Sequence, residues 1–140
     1  MEMHEATVKL KDRMSARILL VDDVEVVRST LRSLLAEYTI CGEAENGLVA
    51  LDQVRQLKPD VVVLDITMPV MNGLDAARQI RKFSPETPIL ILTMHKSRQL
   101  MEEAQKIGVS GYVVKAEAGQ NLVAAVNAIL QRQTFFPTEF

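Results

Sequence analysis

Five short apolar runs alternate along the chain with stretches whose apolar residues recur at every third or fourth position. The runs are Arg17–Val21, Ile40–Ala44, Val61–Leu64, Ile89–Leu92 and Tyr112–Val114. Three of them are continuous and rich in Val, Ile and Leu, as expected for strands buried in a parallel sheet. The run Ile40–Ala44 is more polar, which indicates a strand at an edge of that sheet.

The stretches between the runs carry the period of about 3.6 residues that is typical of amphipathic helices. The periodic positions are Val27, Leu31, Leu34 and Tyr38; Ala50, Val54 and Leu57; Ala76, Ile80 and Phe83; Leu100, Ala104 and Ile107; and Leu122, Val126, Ile129 and Leu130. Five β–α units in strict alternation predict an α/β fold, with a doubly wound five-stranded parallel sheet and helices on both faces. In such sheets, ligands bind beyond the carboxyl ends of the strands.

Composition narrows the class of protein without identifying a function. The 140 residues carry a formal net charge of −2, with 48% hydrophobic and 24% charged residues, which is ordinary globular usage. No charge excess favours nucleic acid, and charges interrupt every apolar run before it reaches the length of a membrane helix. The single cysteine, Cys41, excludes an internal disulfide framework. We expect a soluble cytoplasmic protein with no membrane partner.

The domain boundaries follow from the same pattern. We expect residues 1–15 to be a flexible N-terminal extension, because they are polar and irregular. The alternating units define a folded domain over residues 16–132, and residues 133–140 form a tail or the start of a linker. Three of the four phenylalanines, Phe135, Phe136 and Phe140, lie in this last segment.

Polar side chains follow four of the five predicted strands directly. Asp22 and Asp23 follow the first strand, Asp65 the third, Thr93 the fourth and Lys115 the fifth. Each residue alone has an ordinary explanation, such as capping the next helix or satisfying a turn. Unrelated turns have no reason to place all of them at one edge of the sheet, so together they predict a functional pocket.

The charges of this set indicate its chemistry. Two carboxylates about 4 Å apart repel by on the order of 4 kcal/mol at an effective dielectric of about 20, so either one is protonated or a cation neutralises them. No His or Cys joins the set, and oxygen ligands select hard ions such as Mg²⁺. A metal beside a carboxylate, a lysine and a hydroxyl is a phosphoryl-transfer arrangement, and an aspartate can act as its nucleophile.

Four segments surround these residues: ILLVDD (18–23), VVVLDITMPVMNGLDAARQIR (61–81), ILILTMH (89–95) and GYVVKAEAGQ (111–120). In these segments the chain resembles the receiver domain of two-component response regulators, most closely the NarL/FixJ-type regulators of the LuxR family. The resemblance covers about residues 16–132. It implies the flavodoxin-like strand order 2-1-3-4-5.

The resemblance also implies residue roles. Asp65 is the expected phosphoacceptor, taking a phosphoryl group from the phosphohistidine of a sensor histidine kinase. Mg²⁺ is the expected cofactor, bound directly by Asp23, through a water by Asp22, and by Asp65 and the backbone carbonyl of Thr67. This makes the chain a signalling domain that catalyses its own phosphorylation and slow dephosphorylation, not an enzyme with an external substrate.

The same resemblance implies a switch. Lys115 and the hydroxyl of Thr93 are expected to bind phosphoryl oxygens, and Tyr112 to rotate inward when Thr93 moves toward the phosphoryl group. Side chains at Thr67 and His95 are expected to tune the rate of dephosphorylation. The readout surface would comprise Lys96–Ile107, Tyr112–Val114 and Gly119–Gln131.

Two departures from the family pattern leave points open. Many receivers have a cis Lys–Pro bond where this chain has Lys115-Ala116, and a non-proline cis bond costs about 3–4 kcal/mol. NarL/FixJ-type regulators continue into a DNA-binding domain, whereas this sequence stops near the expected linker. We therefore expect DNA contact only through an output domain outside these residues, and homodimerisation on phosphorylation stays a hypothesis.

Three alternative functions are weaker. A phosphatase of the haloacid dehalogenase type needs an aspartate two positions after the nucleophile, where this chain has Thr67. A flavodoxin-like cofactor binder needs a phosphate loop after the first strand, where the acidic Asp22-Asp23 would repel a phosphate. A receiver that works by binding alone usually lacks an acidic residue or the lysine, and this chain retains them.

Overall fold

The structure is a computed structural model, and it describes residues 15–140. Its strands are β1 (Arg17–Val21), β2 (Thr39–Ala44), β3 (Val61–Leu64), β4 (Ile89–Thr93) and β5 (Gly111–Val114). Its helices are α1 (Glu25–Leu34), α2 (Gly47–Leu57), α3 (Gly73–Phe83), α4 (Arg98–Ile107) and α5 (Ala118–Leu130), with a short 3₁₀ turn at Lys115–Glu117. Each predicted run therefore forms a strand and each periodic stretch a helix, although the first helix ends before Tyr38.

The five strands form one parallel sheet in the order β2-β1-β3-β4-β5. This confirms the α/β doubly wound fold and the strand order that the family resemblance implied. The edge position predicted for the second strand is also confirmed, and its residues are mostly half-buried, unlike the fully buried strands β3 and β4.

The sheet separates two apolar cores. Alternate residues of β1 face opposite sides, with Leu19 and Val21 in one core and Ile18 and Leu20 in the other. Helices α2, α3 and α4 cover the first face, and α1 and α5 cover the second. Continuous apolar runs are required because each central strand is buried on both sides.

The helices begin where their side-chain caps allow. Asn46, Asn72 and Ser97 each accept a hydrogen bond from a backbone N–H in the first turn of α2, α3 and α4. The first helix is shorter than its periodicity suggested, since it ends at Leu34 and Tyr38 lies in the turn beyond it. Tyr38 is nevertheless buried, so the apolar periodicity correctly indicated a core residue but did not mark the end of the helix.

The Lys115-Ala116 bond is trans, because no peptide bond in residues 15–140 is cis. Instead of a cis turn, the chain enters a 3₁₀ turn at Lys115 and continues directly into α5. The predicted N-terminal extension lies outside the described residues except for Ser15. A membrane-spanning helix is absent from residues 15–140, since each helix there is too short or too polar to cross a bilayer.

Helix α3 begins in direct contact with the end of β3. A Cβ atom added at Gly73 would lie 1.8 Å from the backbone oxygen of Asp65, so only glycine permits this approach. The Gly73 N–H donates to the Ile66 carbonyl at 2.8 Å, which fixes the helix start against the strand end. The position of Asp65 therefore depends on a residue eight positions later.

We predict that Gly73→Ala destabilises the protein by roughly 1–3 kcal/mol or more, because the new methyl group overlaps backbone that cannot move freely. Urea unfolding measures this. The matched control is Gly119→Ala in the first turn of α5, where an added Cβ meets nothing within 4 Å. It should be neutral or stabilising by up to about 1 kcal/mol. Equal effects of the two substitutions would contradict the proposed close contact.

Candidate functional site

The register of the sheet brings two of the aspartates side by side. Val21 of β1 lies opposite Leu64 of β3, so Asp22 and Asp65 leave neighbouring strands at the same level. The Asp65 N–H donates to the Val21 carbonyl at 3.0 Å, which continues the hydrogen bonding of the sheet into the site. Both aspartates are buried, at 1% and 5% exposure.

The other two strand ends follow the same logic. Thr93, the last residue of β4, pairs with Val114, the last residue of β5. Lys115 therefore extends from the end of β5 toward the aspartates, while Thr93 is fully buried beneath the loop after β4.

One ammonium group lies between two carboxylates. Lys115 Nζ is 3.0 Å from Asp65 Oδ2, to which it donates a hydrogen bond, and 2.6 Å from Asp22 Oδ2. The second contact is an ion pair, and among the described residues no other donor reaches the buried Asp22 Oδ2. A single positive charge thus serves two buried negative charges.

The electrostatics reflect this imbalance. Burial raises the pKa of Asp65, the Lys115 ammonium offsets part of that rise, and the nearby Asp22 carboxylate adds to it. Burial alone would lower the pKa of Lys115, but the two carboxylates raise it above its usual value. The lysine stays charged while Asp65 ionises with difficulty. The pocket therefore favours an additional cation.

The three aspartates can offer that cation a set of ligands. Asp22, Asp23 and Asp65 each present one carboxylate oxygen, and these atoms lie within 4.8 Å of one another. Asp23 is exposed and the other two are buried, so the cluster opens to solvent on one side. The residues fit a hard divalent ion, because the ligands are all oxygens and, among the described residues, the Lys115 ammonium is the one cation that meets the two buried carboxylates.

Backbone and side-chain donors orient the two buried carboxylates. Val24 N–H donates to Asp22 Oδ1 at 2.9 Å, and Ile66 N–H donates to Asp65 Oδ1 at 2.7 Å. Each aspartate therefore has one oxygen fixed by the local turn and the other turned toward Lys115.

Sequence reasoning missed Arg28, which supports the loop after β1. Its Nη1 donates to the Asp22 carbonyl at 2.6 Å, and its Nε donates to Glu43 Oε1 at 2.8 Å. Arg28 therefore ties the first acidic loop to the edge strand β2. A lone arginine on an amphipathic helix carries no signal of this contact, because the partner is a backbone oxygen.

Two further predicted site residues meet outside the acidic cluster. Thr67 Oγ1 and His95 Nε2 lie 2.8 Å apart and form a hydrogen bond between the loops that follow β3 and β4. His95 N–H also contacts Thr93 Oγ1, at 3.3 Å. The loops after β3 and β4 are thus linked to each other and to the buried threonine.

Tyr112 belongs to the apolar core beneath α2, α3 and α4. It is fully buried, and its hydroxyl donates to the His95 carbonyl at 2.6 Å. The Tyr112 ring is therefore turned inward in this structure. Burial raises the pKa of Tyr112 to about 12.

Comparison with known proteins identifies the family. The profile described as "Response regulator receiver domain" matches residues 18–127. The chain belongs to this family. It is a receiver domain of a two-component response regulator, and receivers are signalling domains and not substrate-turnover enzymes.

Individual relatives agree with this assignment. The chemotaxis protein CheY of Thermotoga maritima is 37% identical over 118 residues, which cover 83% of this chain and 98% of that protein. The transcriptional regulatory protein YdfI of Bacillus subtilis is 40% identical over 118 residues, covering 82% of this chain but only 55% of that protein. The receiver therefore spans about half of such a regulator.

A solved structure extends the comparison to the fold. The structure of a LuxR-family two-component response regulator from Aurantimonas sp. SI85-9A1 is 38% identical, with a TM-score of 0.83. The match covers 86% of this chain and 89% of that chain. The resemblance to LuxR-family receivers is confirmed.

We predict that Asp65→Asn raises the free energy of unfolding at pH 7 in the presence of EDTA. Because the pKa of Asp65 is raised in the folded state, ionisation of this carboxyl opposes folding. The contribution of protonated Asp65 to the free energy of unfolding is complete at low pH and is lost as the carboxyl ionises in the folded state. Asparagine cannot ionise and avoids that loss.

Mg²⁺ should stabilise the wild type more than the Asp65→Asn variant. It should stabilise the wild type by about 2.7 kcal/mol at a hundredfold excess over its dissociation constant, and the variant less. Urea unfolding with and without Mg²⁺ measures both effects. Asp52→Asn, at an exposed site on α2, is the matched control and should behave as wild type. An Asp65→Asn variant that is less stable than wild type in EDTA would contradict this electrostatic account.

Tyr112 should titrate far above a free tyrosine. In a Tyr38→Phe background Tyr112 is the only tyrosine, so tyrosinate absorbance reports it alone. We expect a midpoint at about 12. Since the pKa is raised on folding, the stabilisation is complete below about pH 10 and is lost as the pH rises through the folded value. Tyr112→Phe should remove this loss of stability at high pH. A titration midpoint near that of free tyrosine would contradict the burial of the Tyr112 hydroxyl.

Proposed function

We propose that this receiver accepts a phosphoryl group on Asp65 from the phosphohistidine of a sensor histidine kinase, in a Mg²⁺-dependent reaction that switches an output face. The observation that carries the proposal is the shared ammonium of Lys115 between the buried carboxylates of Asp22 and Asp65. The pocket at the strand ends has more negative than positive charge. It therefore favours binding of a cation, which in turn can stabilise the charge of a transferred phosphoryl group.

Asp65 is the nucleophile in this proposal. A carboxylate oxygen attacks phosphorus, the phosphorus–nitrogen bond of the donor breaks, and the imidazole leaves with the electron pair of that bond. The product is an acyl phosphate on Asp65. Its Oδ1 is held by the Ile66 N–H, so the oxygen now bonded to Lys115, Oδ2, is the one oriented for attack.

Asp23, Asp22 and Asp65 would hold Mg²⁺, together with the backbone carbonyl of Thr67. A bound ion would supply positive charge to neutralise phosphoryl oxygens during transfer. Asp22 is held by its bond from Val24 N–H, which leaves its second oxygen directed at the cluster.

Lys115 and Thr93 would bind the phosphoryl oxygens once Asp65 is modified. Phosphorylation adds up to about two negative charges and three acceptor oxygens, and converts Asp65 Oδ2 from a charged partner of Lys115 into an ester-like oxygen. The ammonium then has a stronger partner on the phosphoryl group. Thr93 is the buried hydroxyl at the neighbouring strand end.

The signal would leave the site through Thr93 and Tyr112. His95 connects them, since its N–H contacts Thr93 Oγ1 and its carbonyl accepts the Tyr112 hydroxyl. A shift of Thr93 toward the phosphoryl group would alter both contacts. The proposed readout face comprises Lys96–Ile107, Tyr112–Val114 and Gly119–Gln131.

The Thr67–His95 hydrogen bond supports a role for these side chains in dephosphorylation rate. It links the loop that carries Asp65 to the loop after β4, and in this proposal water approaches the acyl phosphate past this pair. Breaking it would open that path.

The kinase would dock at the same end of the molecule. Within the described residues, the exposed large hydrophobic side chains are Val24, Val26, Leu48, Val70 and Met94. All five lie in loops or first helical turns at the carboxyl ends of the strands. Apolar side chains around a charged pocket are typical of a protein–protein interface.

The remaining partners rest on the relatives. Known relatives include proteins named as transcriptional regulators, so we propose that DNA is contacted only through an output domain. Homodimerisation on phosphorylation through the readout face and a cytoplasmic location belong to the same proposal, and residues 133–140 are a C-terminal tail or the start of a linker in it.

The direct test is incubation with acetyl phosphate followed by intact-protein mass spectrometry. We expect one added phosphoryl group, formed only with Mg²⁺ and absent from Asp65→Asn. Reduction of the acyl phosphate with borohydride and peptide sequencing should locate it at Asp65, and Asp52→Asn is the matched control. Modification elsewhere, or none under conditions where hydrolysis is slow, would contradict the proposal and favour a receiver that acts by binding alone.

A further inference from the structure

Residues 132–140 run from the end of α5 along the outer edge of β5. Arg132 has φ 66°, in the left-handed region, and Gln133 N–H donates to the Ala128 carbonyl at 2.9 Å. This turn reverses the chain after the helix and directs it back toward the sheet. The path of the segment is therefore set by the helix end.

The segment pairs with β5 through its backbone. Phe135 N–H donates to the Ser110 carbonyl and Tyr112 N–H donates to the Phe135 carbonyl, both at 2.9 Å. An unpaired edge strand exposes such groups to any other strand, and here the chain satisfies them itself. Gly111 makes the approach possible, because an added Cβ would lie 2.9 Å from the Phe135 oxygen.

The phenylalanines of this segment attach it to both cores. Phe135 packs on the core beneath α1 and α5, whereas Phe136 and Phe140 pack on the core beneath α2, α3 and α4. The alternation at 135 and 136 is that of a strand. The segment is thus fixed by side chains on both faces of the sheet.

Phe140 contacts the aromatic ring that the switch depends on. Its ring centroid lies 5.8 Å from that of Tyr112, with the planes at 63°, an edge-to-face arrangement. The inward Tyr112 hydroxyl is bonded to the His95 carbonyl, and His95 N–H contacts Thr93. An unbroken series of contacts therefore leads from the strand-end pocket to the end of the tail.

We propose that residues 135–140 form an intramolecular strap that holds Tyr112 inward, so that docking of the strap and occupation of the phosphoryl pocket favour each other. This rests on the proposed function, because it adds a fourth member to the path from Thr93. The energetic coupling is reciprocal: whatever factor the docked strap adds to phosphoryl binding, the phosphoryl group adds to docking. The strap also covers the β5 edge of the readout face, so a partner would meet strap residues there.

The test substitutes Phe140→Ala and follows two readouts. Tyrosine ring signals in the NMR spectrum, assigned with Tyr38→Phe, report the Tyr112 environment, and hydrogen exchange at the Tyr112 amide reports its bond to Phe135. Titration with beryllofluoride and Mg²⁺ measures binding of a phosphoryl mimic. Thr138→Ala, at an exposed tail position, is the matched control.

We expect Phe140→Ala to lose the ring-current shift of Tyr112, to speed exchange at its amide, and to weaken binding of the mimic at least about 5-fold, the lower end of ordinary coupling between sites. The mimic should slow Tyr112 amide exchange in the wild type by the same factor. Phe140→Leu keeps an apolar contact without a ring and should retain most of the coupling, which separates loss of the strap from misfolding.

The outcomes distinguish the two proposals. Mimic binding of equal strength in the wild type and Phe140→Ala, with exchange at Tyr112 unchanged, would overturn the strap and leave the proposed function intact. Failure of the wild type to bind the mimic would overturn the proposed function and the coupling with it. Unequal binding of Thr138→Ala and wild type would also count against the strap, since that side chain makes no core contact.

Discussion

The ammonium of Lys115 between the carboxylates of Asp22 and Asp65 is the interaction on which the site depends. Removing the Lys115 ammonium would leave two buried carboxylates without a compensating charge, typically at a cost of about 3–5 kcal/mol. The parallel sheet makes the grouping unavoidable, because β1, β3 and β5 end at the same edge. The fold thus concentrates negative charge that one lysine only partly neutralises. The remaining negative charge favours binding of a cation, and the bound cation can assist phosphoryl transfer to Asp65.

Much of this arrangement could be predicted from the sequence. Alternating runs and periodic stretches gave the α/β class, and the residues directly after each run gave Asp22, Asp65 and Lys115, because parallel strands share a carboxyl edge. Strand order came from the family resemblance and not from the pattern. Contacts to backbone oxygens were beyond prediction: Arg28 on the Asp22 carbonyl and Gly73 against Asp65 depend on how loops approach strands in three dimensions. The end of α1 before Tyr38 shows the same limit, since periodicity records burial and not helix boundaries.

The tail illustrates how the same physics extends the site. Its phenylalanines stand out in the sequence, but the pattern could not tell whether they contact this domain, because no periodicity constrains the eight residues 133–140. In the folded chain they close the exposed edge of β5 and contact Tyr112, and His95 links Tyr112 to Thr93. The buried ring of Tyr112 therefore connects the charged pocket at the strand ends to the outer edge of β5. A ligand at one end of this series of contacts would change the conformation at the other end by shifting the populations of a few packed states.

The central claim is that the strand-end carboxylates and Lys115 form a site for a metal-assisted phosphoryl group on Asp65. A crystal structure of the chain grown with Mg²⁺ and beryllofluoride tests it most directly. We predict beryllofluoride bonded to a carboxylate oxygen of Asp65, Lys115 moved from Asp65 onto a fluorine, and the metal held by Asp23 and Asp65. Beryllofluoride bound elsewhere, or Lys115 still bridging the two aspartates with no metal beside them, would contradict the account.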